Sequence, residues 1–340
     1  MHRAFRHHAL RLATVLWVAA PILGYWPGAT PKASQMGWWV LASIVVIAVG
    51  MTQPVRRTMP GFGWGMSAVL AVVFSHLAGI GFTIGWAYQV SLLLCASWVL
   101  AERAEFAWIR QTVIGLAWVQ VGLVGLEGLG VQPFPVAGNF PHGSLATRTG
   151  LCLLWTMASL WSPPRSALVL ALLAAATGSF TSTIALVRVI CRSRTIPFPL
   201  LLSAPVWLVA VTPAWGPRFL SRWEVWTQMT WLQTSWLAGW GFLPFISGFV
   251  SADTTGAIGR LSSVQIFMNN TWLDWVGRTG LIGALLLAAL AVWASRRLTT
   301  PWRAWTAAGL VWMGLWQSAE VYPVLSLLGV CSVIGLAQEG

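Results

Sequence analysis

The sequence predicts an all-α fold: a polytopic integral membrane protein of about twelve transmembrane helices, with one large segment on the outer side. Three observations predict it. Only 8% of the 340 residues are Asp, Glu, Lys or Arg, against about 25% in a typical soluble domain, so charge could not cover a globule of this size. Hydrophobic residues make up 57% of the chain, and mean hydropathy is +0.72. Apolar runs near ~20 residues recur from end to end, each long enough as a helix to span ~30 Å of hydrocarbon. Lipid admits only helices and closed barrels, and these runs are too long and unbroken for barrel strands.

The first run, 12–26, follows the basic head MHRAFRHHALR. No small-x-small cleavage site follows, so it reads as a retained helix. The next runs are 36–52, ended by QPVRRTMP, then 61–82 and 84–101, ended by AERAEFAWIR, then 111–131. After a Pro- and Gly-rich stretch, VQPFPVAGNFPHGSLATR, comes 145–161, ended by SPPR. Two short runs, 166–179 and 180–193, flank ATGSFTST and end in RVICRSR. Run 196–213 leads into the longest non-spanning stretch, 214–270; runs 271–294, 303–320 and 322–337 complete the set. The whole chain, 1–340, therefore reads as a single transmembrane domain, and 214–270 as its extracytoplasmic segment.

Basic residues orient the runs, because cytoplasmic loops collect Arg and Lys. With the N-terminus inside and about twelve crossings, fourteen of the twenty basic residues fall inside, and both termini are cytoplasmic. The 30 residues 165–194 must supply two crossings for this tally. That is short at ~20 residues each; broken helices at ATGSFTST would reconcile the length, and such breaks are tolerated where they line a cavity. The net charge of +12 is accounted for by these loops, so nucleic acid is not an expected partner; membrane lipids are. The four cysteines lie in apolar segments without a C-x-x-C pair, which reads as buried apolar Cys rather than a disulfide or zinc framework. Nothing calls for a metal or a cofactor: there is no phosphate-binding P-loop, dinucleotide fingerprint or H-E-x-x-H. The 25 tryptophans are expected chiefly to anchor the chain at the membrane–water interface.

The outer side is where chemistry is expected. It holds Arg148, Arg218, Arg222, Arg260 and Arg278, with His142 and the acids Glu224, Asp253 and Asp274. An arginine surplus there runs against the positive-inside bias. A phosphate-bearing substrate would explain it, since guanidinium binds phosphate bidentately and keeps its charge; pairing with the three acids is the plainer explanation for any single Arg. Arg218 and Arg222, four apart in PRFLSRWEVW, would share a helix face and repel unless an anion lies between them. His142 sits on a Gly/Pro turn and titrates near neutrality. His76, inside a span, is an ionisable intramembrane group.

The succession of short motifs is more specific than any one of them. GNFPHGSLA (138–146) opens a span and ATGSFTSTIAL (176–186) ends another; RFLSRWEVW (218–226), GWGFLPF (239–245) and NNTWLDWVGRTGLIG (269–283) follow. This order, over roughly 138–283, resembles the O-antigen ligase and O-antigen polymerase family of bacterial envelope glycosyltransferases. That family shows a G-x-F-x-N-x-N loop, a T-G-S-R-G turn, an R…W segment followed by G-x-G, and H-N-x-x-L…G-x-x-G. The resemblance implies a bacterial inner-membrane enzyme that takes a glycan from a polyprenyl-diphosphate carrier at the outer face. It passes the glycan to an acceptor hydroxyl on a glycan, lipid A core or protein.

In that reading arginines bind the leaving diphosphate and a base takes the acceptor proton. Arg222 falls at the R…W arginine and Asn270 at the Asn of H-N-x-x-L. Arg148, Arg218, Arg260 and Arg278, with Asn139, Asn269 and Asn270, become expected substrate contacts. Two positions depart: Asn269 stands at the family histidine and Phe180 at the arginine of T-G-S-R-G. Asn cannot act as a base, so His142, Glu224 and Asp274 are the candidates for that role. A lipid or solute transporter and an inactive accessory membrane subunit are the competing readings. Polar groups on broken midplane helices would mark the transporter; the two departures would mark the accessory subunit.

Overall fold

The structure is a computed structural model, which describes residues 2–20, 31–56, 58, 82–131, 148–191, 196–211, 216, 237, 270–296, 298, 300–316 and 323–334. The expectation of an all-α chain holds: among the described residues all regular structure is helical, with no strand. In chain order the helices are α1 (His2–Ala19), α2 (Pro31–Met51), α3 (Phe82–Arg103), α4 (Phe106–Gly128), α5 (Arg148–Trp161) and α6 (Pro164–Ala176). A 3-10 turn, Phe180–Ser182, leads into α7 (Thr183–Cys191). Then come α8 (Phe198–Val211), α9 (Thr271–Ser295), α10 (Pro301–Trp316) and α11 (Pro323–Ile334). One described helical run, Phe106–Leu126, is by itself long and apolar enough to cross a membrane. Shorter apolar helical runs include Gly37–Met51, Gly150–Trp161 and Pro199–Val211. The expected run 61–82 lies almost wholly outside the described residues, as does most of the segment 214–270.

Helix α5 is the hub. Its sequence LCLLWTMASLWS is apolar or hydroxyl-bearing all round, as a helix without a solvent face must be, and residues 151–162 are all buried. It packs against α4, α6, α7, α10 and α11. A second layer, α1–α2–α3, joins through α4 and α11.

Two devices bring the helices close. Glycines remove side chains where neighbours press in: Gly50 meets Val99, Gly309 meets Leu160, and a Cβ at Gly314 would sit 2.7 Å from the Trp272 indole nitrogen. Tryptophans supply the second. Trp17 donates to Ser43 Oγ at 2.8 Å, Trp155 to the Ala117 carbonyl at 3.1 Å, and Trp161 to Thr306 Oγ1 at 2.9 Å. The expected interfacial anchoring is therefore not the role of these three. A large apolar ring with one donor suits a buried site where that donor finds an acceptor.

The basic loops gather at one end of the bundle. Arg103 donates to the Gly50 and Gln53 carbonyls at 2.7 and 3.0 Å, closing the C-terminus of α2. Arg56 pairs with Glu105 at 2.7 Å. Arg11 lies 5.9 Å from the Trp108 ring centroid. Phe106 stacks on Trp302 at 4.5 Å and meets Trp161 edge-on at 5.5 Å.

The pair expected as two crossings, 166–179 and 180–193, is a short hairpin instead. Helix α6 has 13 residues and α7 has 9, or about 20 Å and 14 Å at ~1.5 Å per residue, too short for ~30 Å of hydrocarbon. The hairpin leaves from the basic end at Pro164 and returns there, where Arg188 donates to the Ser159 carbonyl at 2.7 Å. Its tip ends inside the bundle. The first helix also differs: α1 begins at His2 rather than 12, because the basic head continues the helix and its Arg11 packs on Trp108.

Candidate functional site

The hairpin tip is built from TGSFTST. Gly178 takes φ +75, a left-handed turn suited to glycine, and Thr177 returns its hydroxyl to the Ala174 carbonyl at 2.6 Å. Ser179 then restarts the chain: its Oγ accepts from the Thr181 amide at 3.4 Å and donates to Thr181 Oγ1 at 3.1 Å. Ser182 and Thr183 bond back to the Ser179 and Phe180 carbonyls, both at 2.7 Å. All of Ser179, Thr181, Ser182 and Thr183 are buried. Hydroxyls close to the backbone satisfy groups that a broken helix would otherwise orphan. The tip is thus a polar, rigid and uncharged surface inside an apolar bundle.

Two motif segments converge on one stretch of α10. Trp312 donates its indole N–H to the Phe180 carbonyl at 3.2 Å and to Thr183 Oγ1 at 2.7 Å. One residue earlier, the Val311 carbonyl accepts the indole N–H of Trp272 at 2.9 Å. Trp272 lies two residues into α9, just after the asparagine pair. The ring of Phe180 lies 4.8 Å from that of Trp316, tilted by 33°, and the residue is 1% exposed. The position where the resembling family carries arginine is therefore an apolar packing position here.

Asn270 caps α9. It is 2% exposed, and its Oδ1 accepts from the Trp272 and Leu273 amides, both at 3.1 Å. That occupies its side-chain oxygen with the orphan donors of a helix start. Ten residues on, Gly280 breaks the helix with φ 62, ψ −152. The Ile282 amide is released to the Leu237 carbonyl at 3.3 Å. The Gly280 backbone supplies a kink only glycine adopts readily.

Of the other expected site residues, Arg148 opens α5, while Asp274 and Arg278 fall one turn apart in α9. Arg222, Arg218, Glu224, Arg260, His142, Asn139 and Asn269 lie outside the described residues, as do Asp253, His76 and Glu320. Among the described residues no three of His, Cys, Asp and Glu come together as a metal-ligand set. Sequence reasoning missed Val311, Trp312 and Trp316. The spacing W-x-x-x-W with an intervening glycine in VWMGLW marks a close-packed face, but not what packs on it. Compared with known proteins, the chain matches no protein-family model, and no curated protein matches it.

Proposed function

We propose that the chain is a polytopic protein of the bacterial inner membrane that moves a glycan from a polyprenyl-diphosphate carrier to an acceptor hydroxyl at the outer face. Membrane embedding is supported by an inverted side-chain distribution. Leu172, Ile190, Leu202, Trp207, Val211 and Leu285 are each more than half exposed on helices, whereas Ser97, Thr156, Ser159, Thr181 and Thr306 are buried. Apolar area on that scale outside, with hydroxyls inside, suits lipid rather than water. The gathering of the basic loops at one end agrees with the sidedness read from charge.

The observation that carries the glycan-transfer reading is the convergence on α10. The T-G-S turn and the N-N-T-W segment lie some ninety residues apart in the chain. Both dock on Val311–Trp312, one through Phe180 and Thr183, the other through Trp272. Segments that meet in this way are fit to frame one site, and in sequence the segment 214–270 with Arg222 leads directly into the second of them. In the proposed reaction the bond between the sugar's anomeric carbon and the diphosphate oxygen breaks. The acceptor oxygen forms the new bond, its proton passes to a base, and polyprenyl diphosphate leaves with the added negative charge. Arg222, seconded by Arg218, neutralises that charge; His142, Glu224 and Asp274 are the candidates for the base. Phe180 in its packed position means the arginine of the resembling turn has no counterpart there, so the diphosphate contact rests on the arginines of the outer segment.

The test is the glycan profile of the host envelope when the chromosomal copy carries Arg222→Ala or Arg222→Lys. Removing a donor aimed at developing charge costs about 100-fold or more. Arg222→Ala is expected to abolish transfer at unchanged protein level, with partial recovery in Arg222→Lys. A wild-type profile for Arg222→Ala removes the proposed diphosphate contact and favours the accessory-subunit reading.

A further inference from the structure

Two adjoining cavities open at the basic end, about 520 Å³ and 330 Å³ in volume. Ser162, Arg188 and Trp302 line both; Arg165 lines the larger and Arg110 the smaller. No acidic residue is among the lining residues of either cavity. The nearest acid in sequence, Glu105, is engaged by Arg56 at 2.7 Å. Arg188 gives one donor to the Ser159 carbonyl, and a guanidinium carries more donors than that acceptor can occupy.

Ser162 is 5% exposed, and its Oγ is sealed from solvent without a hydrogen-bond partner in the protein. The remaining walls are apolar, including Pro164, Leu168 and Trp305.

We infer that these cavities form a phosphate-binding site for an anionic amphiphile, in which Arg188 and Arg165, with Arg110, hold the phosphate, and the Trp302 and Leu168 walls take its apolar portion. Guanidinium, not ammonium, is the planar fork that grips phosphate oxygens, and every basic residue lining the cavities is arginine. Basic pockets between helices near a cytoplasmic membrane surface fit anionic lipid headgroups. The site is at the end of the bundle opposite the proposed glycan chemistry and holds whether or not the chain transfers a glycan.

The experiment uses the full-length protein purified in detergent, with retention of phosphatidylglycerol and of phosphatidylcholine read by native mass spectrometry. Wild type is expected to retain phosphatidylglycerol about tenfold over phosphatidylcholine, the scale of one charge-assisted contact. The variants Arg165→Gln and Arg110→Gln should each lower that ratio. Both side chains are exposed, so thermal stability in lipid-free detergent should not fall; this separates lost binding from lost folding. Displacement of the lipid by millimolar inorganic phosphate would assign the phosphate itself as the recognised group, and failure to displace it assigns the amphiphile. Equal retention of the two lipids by wild type, together with no stabilisation by inorganic phosphate, would overturn the site. So would variants that bind both as wild type does.

Discussion

Asn270 bears two meanings that its sequence could not separate. An asparagine just before an apolar run suits a helix cap and a substrate contact equally. The structure places its Oδ1 on the Trp272 and Leu273 amides, so Asn270→Ala should cost about 1 kcal/mol of stability, read as a lower unfolding temperature in detergent. Asn270→Asp keeps the acceptor and should restore stability. If Asn270→Asp also restores glycan transfer, the residue acts as a cap; loss of transfer in a stable Asn270→Asp would show that the amide is needed as well. Gly280 owes its place to backbone conformation. Its φ of 62 with ψ −152 lies in a region that other residues reach at a cost of about 1–3 kcal/mol. Gly280→Ala should therefore lower thermal stability although it adds a single methyl group.

At the scale of elements, the hairpin α6–α7 is the instructive case. Its apolar length suggested two crossings, and the hydroxyl-rich ATGSFTST suggested a break; the break was the better guide. Hydropathy counts residues, whereas the turn chemistry of Gly178 and Ser179 fixes where the chain reverses. What no periodicity could reveal is the partner that holds the reversed chain. Trp312 bonds both Phe180 O and Thr183 Oγ1, so Trp312→Phe, which loses the donor and shrinks a buried bicyclic ring, should cost about 1–3 kcal/mol for the unpaired acceptors, with a further cavity cost. The same helix receives Trp272 over Gly314. A Cβ there would sit 2.7 Å from the indole nitrogen, and Gly314→Ala should destabilise by about 1–3 kcal/mol through overpacking. Both are checked by thermal unfolding of the purified variants, and Gly314→Ala should also weaken transfer if the α9–α10 junction frames the site.

For the whole molecule, composition and hydropathy made the all-helical class and most helix positions legible. The identity of the hub, α5, was not, because every long apolar run looks equally buried from hydropathy alone. Arg11, Arg56, Arg103, Arg110, Arg165 and Arg188 pack at one end, and the proposed orientation puts that end inside. A cysteine placed at exposed Arg165 should therefore react with an impermeant thiol reagent only after cells are opened, and one at Leu129, 80% exposed beyond α4, should react in intact spheroplasts. Reversed reactivity would invert the orientation and put the arginine surplus on the cytoplasmic side. The proposed reaction cleaves a glycosyl diphosphate. The most direct measurement is release of polyprenyl diphosphate by the purified protein in proteoliposomes, supplied with polyprenyl-diphosphate-linked glycan and host envelope extract as acceptor. Release in step with glycan appearing on the acceptor, and lost in Arg222→Ala, is the predicted result. Carrier that stays intact with wild-type protein, or is released equally by wild type and Arg222→Ala, would contradict it.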